Sequence, residues 1–94
     1  MNKKLNFAII GLGRAGAIHL KNIIVSNKCI LKYALDSDPD KLKFFEQEYH
    51  NVTTVYCLSD RYSTILEDPE LDGVVITTPT LCHEQQILMA LGKG

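Results

Sequence analysis

Tryptophan is absent from this chain, aromatic residues make up only 7% of its 94 positions, and neither sign of charge gathers into a block. Each scarcity removes a class of function. Few aromatics and no Trp leave no platform on which nucleobases could stack. Ten basic and eleven acidic residues, spread along the chain for a net charge of −1, offer no polybasic face to nucleic acid or lipid headgroups. The three cysteines, Cys29, Cys57 and Cys82, are odd in number, far apart and free of any CxxC pair. That pattern excludes a disulfide framework and a zinc site, and reads as small, half-buried thiols in a reducing compartment.

Long apolar runs are missing too. Lys3 and Lys4, the run from Leu5 to Leu12 and the small residues Ala15-Gly16-Ala17 imitate an export signal, but Asn6 and Arg14 interrupt the run at both ends. It is far shorter than a membrane span. The expected location is cytoplasmic, with no membrane partner. What is present is ordinary globular material: 46% hydrophobic residues, which argues against disorder, in a length that suits one small domain.

The pattern along the chain alternates. LNFAII (5–10) is a short apolar run ending in glycines, as a buried strand does. From Arg14 to about Ser26 the spacing is helical, with Ala15, Ile18, Ile23 and Ile24 on the expected inner face. CILKYAL (29–35) reads as a second strand. DSDPD follows it, with Asp38 as N-cap, Pro39 at the first helical position and Asp40 at the positive end of a helix that buries Leu42, Phe45 and Tyr49. VTTVYC (52–57) predicts a third strand, and Ser59 or Asp60 a cap for a short helix through Leu66 that stops at Asp68-Pro69. GVVITT (73–78) is the clearest strand, and Thr80 suits the cap of a last helix closed by Gly92. The order β-α-β-α-β-α-β-α predicts an α/β fold of the Rossmann-like, doubly wound kind: a parallel sheet of about four β-α units, joined by right-handed crossovers over residues 1–94.

Chemistry concentrates where the first strand meets the first helix. Gly11, Gly13 and Gly16 form G-x-G-x-x-G. The first glycine suits a sharp turn, the second lets backbone approach a pyrophosphate, and the third lets helix and strand pack closely. The amides of Arg14 and Ala15 would face the phosphates from the helix's positive end. Asp36 lies twenty residues past Gly16, at the end of the second strand, where a carboxylate accepts the hydroxyls of an adenosine ribose. An acid there repels a 2′-phosphate, and Ser37-Asp38 rather than an arginine follow it, so NAD is favoured over NADP. At the far edge, Thr77-Thr78-Pro79-Thr80 sits either as a plain turn and cap or as a wall of the nicotinamide half. His83 stands near the start of the last helix. A methyltransferase-like loop for another adenosine ligand remains an alternative, which TTPTLCH fits poorly.

GLGRAGAIH, the strand-end Asp36 and the run DPELDGVVITTPTLCHEQQILMALGKG together resemble the N-terminal domain of the Gfo/Idh/MocA oxidoreductases. The resemblance covers essentially the whole chain. It implies that Gly11, Gly13, Arg14, Ala15 and Gly16 cradle the pyrophosphate, that Asp36 holds the ribose, and that Thr78, Pro79, Thr80 and His83 line the nicotinamide side. Thr80 departs from the asparagine common after that proline. In the family, the segment after the GKG-like turn is a strand carrying Glu-Lys-Pro, followed by a mostly β domain with substrate contacts, a histidine acid/base and the oligomer interface. No residue of this chain matches that lysine, and Lys93 precedes its strand.

Two functional expectations follow. In one, the chain is the NAD-binding part of an oxidoreductase that takes hydride from a sugar, cyclitol or similar hydroxyl compound, with no catalytic residue, no metal and no turnover of its own. In the other it is a non-catalytic nucleotide-binding or interaction module. A sheet of four strands leaves an edge that admits a second copy, hence a homo-oligomer, or a polypeptide supplying further strands.

Overall fold

The computed structural model describes residues 4–50 and 52–77. Four strands and three helices alternate: β1 (Leu5–Ile10), α1 (Arg14–Val25), β2 (Cys29–Asp36), α2 (Pro39–Glu48), β3 (Val55–Leu58), a 3₁₀ turn (Ser59–Arg61) running into α3 (Tyr62–Ile65), and β4 (Gly73–Ile76). The strands form one parallel sheet in the order β3-β2-β1-β4. This is the Rossmann-like α/β architecture that the alternation predicts. The last predicted helix, with Thr78, Pro79, Thr80, Cys82 and His83, lies outside the described residues.

The strand order follows from where the apolar residues go. Ile9, Leu12, Leu20, Leu31, Ala34 and Leu42 pack together beneath α1 and α2. Ala8, Ile10, Leu35, Tyr62 and Ile65 form a second cluster, into which α3 inserts. Neighbouring residues of β1 therefore serve opposite clusters, which is why its sequence is apolar at every position from Phe7 onward. The chain steps outward from β1 to β3, then returns across the sheet to place β4 on the other side of β1. Strand order reverses between β1 and β4.

Several details differ from the sequence expectation. On α1 the buried residues are Gly16 and Leu20, with Ile23 and Ile24 half-buried against the core, whereas Ala15 is exposed and Ile18 is 57% exposed. The close approach of Gly16 to the preceding loop sets the rotation of the helix and turns those two residues outward. The third strand begins only at Val55, three residues later than expected, and just before it the Thr54 hydroxyl donates 2.8 Å to the Leu31 carbonyl. No side chain caps the 3₁₀ turn or α3, so neither Ser59 nor Asp60 plays the predicted role. The Asp38 cap holds: its carboxylate accepts the Asp40 N–H at 2.9 Å, with Pro39 at the helix start. Asn6, the polar break in the first strand, anchors the turn before β4. Its N–H donates 2.7 Å to Asp72 and its amide 3.0 Å to the Glu70 carbonyl.

The pairing of β1 with β2 slips by one residue: Phe7 faces Leu31, but Ala8 faces Tyr33. Lys32 is the extra residue of a β-bulge, which resets the side-chain alternation. Leu31 and Ala34, three apart, thereby reach the same cluster, and the neighbours Lys32 and Tyr33 converge on one carboxylate. Lys32 Nζ lies 2.6 Å from Asp68 Oδ2 and 3.2 Å from Glu70 Oε1, and the Tyr33 hydroxyl donates to the same Asp68 oxygen at 2.6 Å. The Lys32 ammonium first, then the Tyr33 hydroxyl and the Glu70 N–H, hold the Asp68 carboxyl down at about 2, against 3.8 for a free side chain. Because the folded value lies below the unfolded one, this carboxylate stabilises the fold fully above about pH 4 and loses that contribution as pH falls through about 2. Urea midpoints measured from pH 5 down to 2 should fall more steeply for the wild type than for Asp68→Asn. Parallel acid limbs would show that the network has no part in acid stability.

Candidate dinucleotide-binding site

The carboxyl ends of β1, β2 and β4 converge on the loop between Ile10 and Arg14. Gly11 turns the chain with φ of 98°, a conformation that a side chain strongly disfavours, and its N–H donates 2.8 Å to the Leu35 carbonyl. Leu12 then drops its side chain into the core, where it is buried beneath the helices. Gly13 is the residue before α1, in extended backbone with φ −74° and ψ −161°. Gly16, one turn into the helix, faces back to the loop: a Cβ there would lie 1.9 Å from the Gly11 carbonyl oxygen and 2.7 Å from Thr77 Oγ1.

These glycines are present for different reasons. Gly11 answers to backbone conformation and Gly16 to contact inside the chain. Gly13 answers to neither. Its dihedrals are open to any residue, and a Cβ added to it would meet nothing within 4 Å among the described residues. The space beside it is open, and it adjoins the start of α1. That helix has no side-chain cap and no acidic residue in its first turn. Its first internal bond runs from the Ala17 N–H to the Gly13 carbonyl at 2.8 Å, so the N–H groups of Arg14, Ala15 and Gly16 have no acceptor within the helix. These N–H groups, free of helical partners, and the helix dipole make this corner attractive to an anion.

Asp36 closes the site from β2. It is the one buried charged residue among the described residues, 8% exposed, and each of its oxygens already accepts a backbone N–H: Oδ2 from Leu12 at 2.6 Å, Oδ1 from Asp38 at 2.9 Å. A carboxylate offers about four lone-pair positions, so two remain for a ligand's hydroxyls. Gly11, Gly13, Arg14, Ala15, Gly16 and Asp36 are thus brought to one corner of the sheet, with Arg14 and Ala15 exposed beside Gly13. Thr78, Pro79, Thr80 and His83 lie outside the described residues.

Two residues take roles here that the sequence did not assign to them. Leu12 provides the N–H that Asp36 binds, and the only sign of it was an apolar residue lodged between two glycines. Thr77 follows β4, and its hydroxyl donates 2.6 Å to the Gly11 carbonyl, with the Ile10 carbonyl at 3.3 Å. Its position in a threonine pair at a strand's end was the available signal. Among the described residues no group of three His, Cys, Asp or Glu side chains could hold a metal, and no helix is long and apolar enough to cross a membrane.

A parallel sheet whose order reverses beside a glycine turn and an uncapped helix defines the dinucleotide-binding class of doubly wound folds. Residues 5–94 match the model of the Gfo/Idh/MocA family, described as an oxidoreductase family with an NAD-binding Rossmann fold, and the chain belongs to that family. Over all 94 residues it is 35% identical to scyllo-inositol 2-dehydrogenase (NAD(+)) of Bacillus subtilis, 27% of whose length it covers. It is 29% identical over 84 residues to myo-inositol 2-dehydrogenase of Thermotoga maritima, covering 89% of this chain and 24% of that protein. The crystal structure of scyllo-inositol dehydrogenase from Lactobacillus casei, with bound cofactor NAD(H) and scyllo-inositol, superposes with a TM-score of 0.82 at 30% identity, over 98% of this chain and 26% of that one. The chain therefore spans about a quarter of the length of the relatives it matches.

Proposed function

We propose that this chain binds NAD at the β1–α1 corner and forms the cofactor-binding part of an oxidoreductase acting on a cyclitol or a similar polyol. The observation that carries the reading is Gly13: a glycine with no internal reason to be one, beside open space and amides free of helical partners. The pyrophosphate would lie along Gly11, Gly13 and Gly16 against the N–H groups of Arg14 and Ala15, and the adenosine ribose would reach the free lone pairs of Asp36. Thr78, Pro79, Thr80 and His83 would line the nicotinamide half. The relatives support the substrate class, since those named above act on inositols. NAD bound here would supply a hydride acceptor for the carbon bearing the substrate hydroxyl. The residues of this corner hold and orient the cofactor, and the fixed donors at the helix start favour its charge.

Calorimetric titration tests the reading. NAD should bind at least about tenfold more tightly than NADP, because a 2′-phosphate would meet the Asp36 carboxylate. Asp36→Ala should narrow that ratio, and it should also weaken both ligands, because the Leu12 and Asp38 amides lose their acceptor. Equal affinities in the wild type would sink the assignment of Asp36, and failure to bind either ligand would sink the reading as a whole.

A further inference from the structure

We infer that Thr77 is a positioning residue of this site, and that with Asp36 it clamps a single peptide unit, the one joining Gly11 to Leu12. The inference rests on the NAD reading above and concerns how the phosphate loop is kept in shape. A peptide unit is planar, with its carbonyl at one end and its N–H at the other. Here the Gly11 carbonyl accepts the Thr77 hydroxyl at 2.6 Å, and the Leu12 N–H donates to Asp36 Oδ2 at 2.6 Å. Both ends of one rigid plate are held at once.

The two anchors come from opposite sides of β1. Asp36 ends β2 and Thr77 follows β4, and both strands pair directly with β1. Thr77 is itself fixed, since its N–H donates 2.9 Å to the Ile10 carbonyl. Its single hydroxyl proton goes to the nearer of two carbonyls, Gly11 at 2.6 Å rather than Ile10 at 3.3 Å.

Gly11 is the position where such a clamp matters. A glycine with φ of 98° has wide freedom in ψ, so its own backbone does little to fix this peptide plane. Rotation of the plane would swing Gly13 and the first amides of α1 away from a common anion site. Holding both ends suppresses that rotation before any ligand arrives, which lowers the ordering cost of binding. The Thr77 hydroxyl also fills the notch left by Gly16, so the clamp and the close helix packing share one spot.

Thr77→Ala and Thr77→Ser separate this role from simple packing, because both lose the methyl group and only the first loses the hydroxyl. The measurements are the affinity for NAD by calorimetry and, in ligand-free protein, the exchange rate and proton shift of the Leu12 amide by NMR. Thr77→Ala should bind NAD about five- to tenfold more weakly and exchange its Leu12 amide faster, while Thr77→Ser stays within about twofold of wild type. Equal behaviour of the two variants would overturn the clamp, because lost packing alone affects both alike. Wild-type protein that fails to bind NAD overturns the cofactor reading and the clamp's purpose with it, whereas wild-type binding unaffected by Thr77→Ala overturns the clamp alone.

Discussion

Gly16→Ala should lower the thermal midpoint of this protein by roughly 10 °C or more. The added Cβ would sit 1.9 Å from the Gly11 carbonyl oxygen and 2.9 Å from the Gly11 carbonyl carbon. Both are backbone atoms and cannot swing aside as a side-chain tip would. Either α1 must move off the sheet or the loop must rebuild. Alanine in a helix interior would ordinarily gain up to about 1 kcal/mol over glycine, so the direction of the effect is itself diagnostic. Forced backbone shifts in a packed site cost about 1–3 kcal/mol and sometimes more, and in a domain of this size each kcal/mol moves the midpoint by about 4–8 °C. Scanning calorimetry reads the result directly. A midpoint equal to or above the wild type would mean that the helix and loop are not in the close contact described above.

Gly13→Val should do the reverse: abolish NAD binding and leave the fold nearly intact. The valine side chain meets nothing within 4 Å at its Cβ among the described residues, and extended backbone suits a β-branched residue, so the stability change should stay within about 1 kcal/mol. The new methyl groups would occupy the space proposed for the pyrophosphate, next to the amides proposed to bind it. Affinity should fall at least about a hundredfold, or ~2.7 kcal/mol. Retention of normal binding with an unchanged melting curve would reduce the loop to a turn and remove the main support for the proposed function. Measured together, the two glycine variants divide the fingerprint into a part that serves folding and a part that serves the ligand.

The sheet itself was legible because its signals are short-range and repeated. β1, α1, α2 and β4 were visible as apolar runs, helical spacing, an Asp-Pro start and a β-branched stretch. The Asp38 cap is set by residues two apart, so sequence could place it. The short helix after β3 was harder. Ser59 and Asp60 have the chemistry of caps, but a 3₁₀ turn intervenes and neither is used. The inner face of α1 was misjudged for a related reason. Periodicity alone allows several rotations of a helix rich in small and apolar residues, and the contact between Gly16 and Gly11 selects one of them.

Sequence by itself determined the order of elements, the glycine turn and the acid at the end of β2, because backbone freedom, capping and apolar periodicity act over a few neighbouring residues. Tertiary structure alone decided the bulge at Lys32, which sends two adjacent side chains to Asp68, and the double hold on the Gly11–Leu12 peptide. Those contacts join residues 35, 24 and 66 positions apart in the chain. Their geometry is fixed only when four strands close into one sheet and bring the ends of β1, β2 and β4 together, and no local pattern encodes that meeting.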